Sequence, residues 1–591
     1  MRKRKSRRDA RRHETPRRER ASAASAALSL PRRISAAWFA PITDAAPGTW
    51  KYLPHMLAAA FLARAAVALS GDFLLHPDEV MQYLEPAHYA VFGSGVLYWE
   101  YVHGARAWLI PGFVAGFLLA LDAVGLGRPG IYVAAVKLGF CLISLLLPWA
   151  MYRFTQRAAD ERAARLALLL GCFWYELVVM AHKPFTEFVG SAFLFSGLAL
   201  LLMTAANRGG EENENGHDHV HGHENARRRL MMFAAAGALL ALAAAIRMQY
   251  APAVLLLLAL RSASLRREQL AALWGGAAAL AALVGAVEWM TWGAPFHSYL
   301  TNFLFNIGIG VGRAGESSRW QLPGQLLAAG GGIPLLAFWL GAKLRGPARL
   351  LLLLGAVTFA LHMVPEHREY RFIFLMIPCW LMLLAMLLAR AAPPQLRRFG
   401  APALLVFGAV ALTNIFPWQS WIHIGYSNEK PVHYLRQDPM FAVLKHLSAR
   451  DDLRGIFYLA EQAPYFRTGG YYYLHRNVPF YTVHTWGAAR EHRPGASPGE
   501  FVSHIVAEDR MPAEQLAGFS ETFRAGNLVV WKRDDAGAPV ARWRAHVVKQ
   551  TQQGVNLLIR RMTGNLRGTP LGWFLADHHW PQAPPAVEFA E

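Results

Sequence analysis

Residues 76–101 read HPDEVMQYLEPAHYAVFGSGVLYWEY, and acids, histidines and aromatics crowd there between two strongly apolar stretches. Pro77 followed by Asp78 and Glu79 has the form of a helix start. Proline at the first helical position loses no N–H, and first-turn carboxylates meet the positive end of the helix dipole. Asp78, Gln82 and Glu85 recur at helical spacing on one face, with Val80, Leu84 and Ala87 roughly opposite. The spacing predicts a short helix along a membrane surface, ended near Pro86, with its carboxylates turned toward a cavity. A solvated loop with exposed acids is the competing reading. Asp78 or Glu79 is placed to take a proton from a hydroxyl, as a general base does. His76 with those two acids could instead ligate a divalent metal, although no fourth ligand stands nearby.

Cations supply the complementary half of such a site. Arg106 closes the segment, and Arg247 interrupts the apolar run Leu239–Ile246. A charge at bilayer depth costs several kcal/mol unless it is paired or hydrated, so Arg247 is a functional candidate, with snorkelling at a helix end as the alternative. Arg64, inside another apolar run, raises the same question. His367-Arg368-Glu369-Tyr370-Arg371-Phe372 opens a further apolar stretch. There Glu369 can pair with either arginine, and simple anchoring at a helix end also accounts for the charges.

These residues must be positioned by membrane-spanning helices. About eleven or twelve windows approach the roughly 20 apolar residues a spanning helix needs. They lie near 52–70, 107–126, 131–151, 164–182, 186–204, 230–260 (one or two passes), 269–290, 324–343, 348–364, 371–390 and 402–421. A composition 54% hydrophobic and 17% charged agrees with a polytopic α-helical membrane protein. Residues 1–50 form a basic tail expected to be disordered and cytoplasmic, 51–423 the transmembrane unit, and 424–591 a soluble α/β domain. Short β-like runs at 455–459, 478–483 and 527–531 alternate with helix-like stretches there.

Half of the formal charge of +20 sits in residues 1–35, ahead of the first window. That is the positive-inside signature of a cytoplasmic N-terminus, and it argues against a nucleic-acid partner. It puts the first extracytoplasmic loop, 71–106, in the periplasm or an endomembrane lumen, and no removable signal peptide is expected. The arginines of 152–165 contradict simple alternation through the next two windows, so the topology there stays open. Cys141, Cys172 and Cys379 all fall inside predicted spans and read as small core residues. The polar insertion 207–229 carries alternating His217, His219, His221 and His223 and reads as a flexible loop in preference to a metal site.

HPDE, LEPAH, FGSG, YWEY and Arg106 together resemble the first lumenal loop of the glycosyltransferase family 22 mannosyltransferases, of GT-C class. The closest likeness is to the enzymes that add mannose to the GPI-anchor core. The block His367–Phe372 is similar to the family's H-K-E-x-R-F, and Tyr299–Asn306 resembles its asparagine-phenylalanine loop. Tyr98 stands where the family usually has threonine, and Ala107 where it has serine, which bears on the acceptor more than on the reaction.

The resemblance implies transfer of a hexose, mannose by analogy, from a polyprenyl-phosphate donor to a glycolipid or lipid-linked glycan, with inversion in a single displacement. It favours Asp78 as base, with Glu79 its rival. Arg106, Arg247, Arg368 and Arg371 would bind the donor phosphate and stabilise the departing oxygen. His76, Gln82, Glu85, His88, Trp99, Glu100, His367 and Glu369 complete the expected substrate contacts. Trp99 and Tyr101 would stack on a sugar ring, unless they belong to an interfacial aromatic belt. No cofactor is required, because arginines stand in for a metal clamp. A transporter or flippase of lipid-linked sugars, or an inactive scaffold, is the rival function.

Overall fold

The apolar windows fold as helices, and each break in them has a local cause. The computed structural model describes residues 50–102, 104–205, 219–308, 318–365, 367–390, 393–413, 434–435, 437–459, 468–482, 502–509, 516 and 518–535, with Arg33 and Trp38. Within these, five helices are long and apolar enough to cross a membrane: Leu53–Ser70, Pro129–Ala158, Thr186–Thr204, Glu224–Ile246 and Arg267–Trp292. Five shorter apolar helices accompany them, Leu109–Ala123, Met248–Ser262, Ala348–Met363, Met376–Arg390 and Arg398–Ala411.

Some windows expected to be single spans are two helices. The stretch 164–182 breaks at Trp174, whose extended backbone separates Glu161–Phe173 from Tyr175–Met180. The stretch 324–343 breaks at a run of glycines between Gln321–Ala328 and Ile333–Gly341. The run 230–260 breaks at Arg247, which is extended, before a short 3₁₀ turn and the helix Ala251–Ser262. Pro252 accounts for that break, since it offers no N–H and its ring opposes the carbonyl four residues earlier.

The helix Thr186–Ala205 is the axis of the bundle. Its apolar window is 83% buried, against 22% for the helix Arg267–Trp292 at the periphery. That outer helix packs very tightly on His219–Ile246. A Cβ at Gly237 or Gly276 would strike the facing backbone, so paired glycines set the approach, as small residues do between membrane helices.

Arg64 neither snorkels nor serves a site. It is fully buried and donates through Nη1 to the Cys172 carbonyl at 2.7 Å and through Nη2 to the Gly171 carbonyl at 2.9 Å. The carbonyls it meets end the helix Glu161–Phe173, where orphan acceptors and the negative dipole end favour a cation. All three cysteines are buried and free.

Beyond the last apolar helix lies a five-stranded mixed sheet in the order β2-β1-β3-β5-β4. Strands β1 (Ile456–Leu459), β2 (Phe480–Thr482) and β3 (His504–Glu508) are parallel, while β5 (Leu528–Arg533) and the edge strand β4 (Phe519–Ala525) extend the sheet antiparallel. The short helix Gly470–Leu474 joins this unit to the first loop. Tyr132 Oη donates to the Tyr472 carbonyl at 2.5 Å, and the Asp438 N–H donates to the Asp72 carbonyl at 2.8 Å. The basic tail, apart from Arg33, Trp38 and residue 50, falls outside the described residues, as do the side chains of residues 217–223.

Arg64→Met leaves two buried carbonyls without donors, each a loss of about 1–3 kcal/mol. The variant is expected to unfold in detergent with at least about 2 kcal/mol less stability; an unchanged unfolding midpoint contradicts the capping role.

Candidate active site

Asp78 begins a helix as the Pro77-Asp78-Glu79 pattern predicts, but the first turns are wide. Residues Glu79–Leu84 form a π-helix, and only from Glu85 does the chain run as an α-helix, to Phe92. The helix therefore passes through Pro86 in place of ending there. Proline has no N–H to give the Gln82 carbonyl, and the Tyr101 hydroxyl donates to that carbonyl instead, at 2.6 Å. Gly93, at φ 68°, ends the helix, and a side chain at Gly95 would collide with the Glu85 backbone, which explains the FGSG sequence.

The wide turns also decide which acids face inward. An i→i+5 helix turns less per residue, so Asp78, Met81 and Gln82 share the cavity face while Glu85 rotates off it. Glu85 is buried, and its carboxylate accepts from the Val96 N–H at 2.7 Å and the Tyr472 N–H at 2.8 Å. His88 is also buried, bonded to the Ser94 carbonyl at 2.5 Å and to His475 Nδ1 at 3.0 Å. Burial pushes the His88 imidazole down to about 4, despite the bond to Ser94. Glu79 points away, its Oε1 2.7 Å from Lys183 Nζ.

Asp78 meets a different partner. Its Oδ2 lies 2.5 Å from Arg371 Nη2 and 3.4 Å from His76 Nδ1. Burial alone would raise this carboxyl, but the charges of Arg371 and His76 outweigh it and hold the group well below the usual carboxylate range. Arg371 Nε also donates to Glu369 Oε2 at 2.5 Å, and His367 Nε2 stands 2.6 Å from Glu369 Oε1. Burial works against the Glu369 charge, yet Arg371 and His367 bring it down to about 2.

The His367–Arg371 block presents alternate residues because Glu369 is extended before the 3₁₀ turn Tyr370–Ile373. His367 and Glu369 line the cavity. Arg368 takes the opposite side, as period two requires, and donates to the Met363 carbonyl.

Two further cations complete the wall. Arg106 Nη2 pairs with Glu100 Oε1 at 2.8 Å, and Gln82 Nε2 donates to the same oxygen at 3.3 Å. The Arg106 backbone is held from the other side of the bundle. Trp292 Nε1 donates to the Arg106 carbonyl at 3.1 Å, and Asn302 Nδ2 to the Ala105 carbonyl at 3.1 Å. Asn302 belongs to the asparagine-phenylalanine segment, whose chemistry is thus partly architectural. Arg247, at the helix break, lies 3.1 Å from Glu187 Oε1.

All of this surrounds one cavity of about 670 Å³. His76, Asp78, Gln82, Glu100, Arg106, Arg247, His367, Glu369 and Arg371 line it; Glu79, Glu85, His88 and Arg368 do not. The Trp99 side chain lies outside the described residues. The cavity also draws on Tyr98, Glu187, Met248, Gln249, Asn306 and His362, none of them anticipated as a site residue. Glu187 had a usable signal, for Lys183-Pro184-Phe185-Thr186-Glu187 repeats the proline-then-acid helix start seen at Asp78. Among the described residues no group of three His, Cys, Asp or Glu converges to hold a metal, and Glu79 is engaged with Lys183 away from His76.

Apolar helices converging on a cavity of carboxylates and arginines define a polytopic enzyme-like architecture. In fold the chain is similar to a crystal structure of ArnT from Cupriavidus metallidurans bound to undecaprenyl phosphate, with a TM-score of 0.50 and 13% identity over 83% of this chain and 100% of that one. The model of the Alg9-like mannosyltransferase family matches residues 56–426, and the chain belongs to that family. Among its relatives are GPI mannosyltransferase 3 of Yarrowia lipolytica, 36% identical over 131 residues, and that of Drosophila melanogaster, 32% identical over 119 residues. These matches cover 22% and 20% of this chain, and only 25% and 21% of the length of those relatives.

Asp78 and Glu369, with depressed carboxyls, add stability that is complete above the ordinary carboxylate range and is lost as pH falls below it, toward about 2 for Glu369. Arg371→Gln removes the charge that depresses them. The variant is expected to lose more stability at about pH 7 than at about pH 4.5, where the orphaned carboxylates can protonate. An equal loss at both pH values in a thermal melt contradicts the electrostatic role.

Proposed function

We propose that the chain is a membrane glycosyltransferase. It moves mannose from a polyprenyl-phosphate donor to a hydroxyl of a glycolipid or lipid-linked glycan, with inversion in a single displacement. One observation carries this reading: Asp78 and the three arginines Arg106, Arg247 and Arg371 line the same cavity. The family membership gives the sugar. The shorter matches to GPI mannosyltransferases support a lipid-linked acceptor. Nothing in these likenesses favours a transporter.

In this mechanism the acceptor hydroxyl attacks the anomeric carbon while Asp78 takes its proton, an effect worth roughly 10²–10⁴ in rate. The bond to the phosphate oxygen breaks, and the electron pair leaves on the polyprenyl phosphate, where guanidinium donors stabilise it. A phosphate that competes for Arg371 weakens its hold on Asp78, so donor binding would make the carboxylate a better base. Glu100 and Gln82, next to Arg106, are suited to sugar hydroxyls. The basic N-terminus supports a cavity on the periplasmic or lumenal face. The sheet after the last apolar helix acts as a soluble domain that braces the first loop through Glu85 and His88.

The test is transfer from radiolabelled polyprenyl-phosphate mannose by membranes containing the protein. Asp78→Asn is expected to reduce transfer by at least about 100-fold while expression and donor binding persist. Normal turnover in Asp78→Asn with loss in Glu79→Gln moves the base by one residue, and activity in both removes the first loop from the chemistry. Wild-type transfer is expected to survive EDTA, since arginines serve the leaving group. Loss on chelation with rescue by Mn²⁺ or Mg²⁺ contradicts that expectation.

A further inference from the structure

Carboxylates and cationic groups crowd the cavity together. Among the described residues, four carboxylates line it, Asp78, Glu100, Glu187 and Glu369, against three guanidinium groups, Arg106, Arg247 and Arg371. Three of the four acids are held closely. Arg371 lies 2.5 Å from both Asp78 and Glu369, and Arg106 lies 2.8 Å from Glu100. Glu187 is shared instead, and its Oε2 accepts from Thr186 Oγ1 at 3.3 Å. Its Oε1 is buried with no hydrogen bond of normal geometry and sits between two cations, 3.1 Å from Arg247 Nη1 and 3.8 Å from Arg371 Nε.

One anionic oxygen shared by two guanidinium groups is the arrangement a phosphate oxygen would take. We propose that Glu187 is an internal counter-anion, placed where the donor phosphate binds and competing with it for Arg247 and Arg371. The inference rests on the polyprenyl-phosphate reading given above. Glu187 stands in the first turn of a 20-residue helix, where the dipole favours a carboxylate. The backbone around it is fixed, since its carbonyl accepts from Tyr250 Oη at 2.9 Å and Ser191 Oγ at 2.7 Å. The side chain can therefore yield without the helix moving.

The consequence lies in product release. Transfer breaks the bond between the anomeric carbon and the phosphate oxygen, forms one to the acceptor oxygen, and leaves the acceptor proton on Asp78. The diester donor carries one negative charge, whereas the monoester product approaches two at neutral pH. A displaced carboxylate kept nearby by its anchored backbone repels the product more than the donor, so Glu187 favours exchange of spent lipid for fresh donor. It acts as a positioning and release residue, with no bond to the reacting carbon.

The experiment measures binding of undecaprenyl monophosphate to the purified full-length protein in detergent, alongside inhibition of transfer by the same lipid. Glu187→Gln is expected to bind the monophosphate at least about tenfold tighter than wild type, with stronger product inhibition and a lower kcat. A merely structural role predicts weaker binding. Equal or weaker binding in Glu187→Gln overturns the inference and leaves the donor assignment standing; no binding by the wild type overturns the donor assignment itself. Should the single variant not fold, Arg247→Gln and the double variant Glu187→Gln/Arg247→Gln replace it. Arg247→Gln alone is expected to lose at least about tenfold in affinity and the double variant to recover most of it. Equal losses in the two overturn the proposal.

Discussion

The Arg371 guanidinium is the interaction on which the rest depends. It is buried, and it meets carboxylates from three separate parts of the chain: Asp78 of the first loop, Glu369 of its own block and Glu187 at the head of the central helix. A charge in such a place is tolerated only when paired, and removing one partner of a buried pair costs about 3–5 kcal/mol. The fold must therefore bring these three segments together wherever Arg371 is buried. The same cation that organises the cavity is the one best placed to hand part of its charge to a phosphate.

The remaining architecture keeps the Asp78 segment in register with that cation. The π-turns of Glu79–Leu84 aim Asp78 and Gln82 inward and leave Glu85 to bind the Val96 and Tyr472 backbones. Lys183 fixes Glu79 on the far side, so adjacent acids have opposite duties. The sheet unit touches the same helix through Tyr472 and His475, which ties a distant part of the chain to the geometry of the Asp78 helix without entering the cavity.

Charges at the edges of apolar runs made Asp78, Arg247 and Arg371 legible in sequence, because a membrane penalises them unless they face a site. Alternatives closed by side-chain direction were not legible. Glu85 left the cavity face because the helix is wide, which no 3.6-residue pattern reveals. Arg368 looked equivalent to Arg371 until extended backbone sent it to the other side. Glu187 carried the same proline-then-acid signature as Asp78 but read as the plain start of a span. Strand β4 lacked any apolar run, since its residues are largely exposed, and only its partner β5 stood out; β3 (His504–Glu508) was not expected either. Windows of hydrophobicity located the helices but not the breaks at Trp174 or the glycines before Ile333, where local geometry overrides composition.

Central to the account is that Arg371 holds the donor phosphate as a planar fork, which an ammonium cannot reproduce. The most direct test is the donor kinetics of Arg371→Lys in correctly inserted protein. The account predicts a KM for polyprenyl-phosphate mannose raised more than tenfold, about 1.4 kcal/mol or more, with the acceptor KM little changed. Donor kinetics indistinguishable from wild type would contradict it, and the phosphate site would then have to be sought around Arg106.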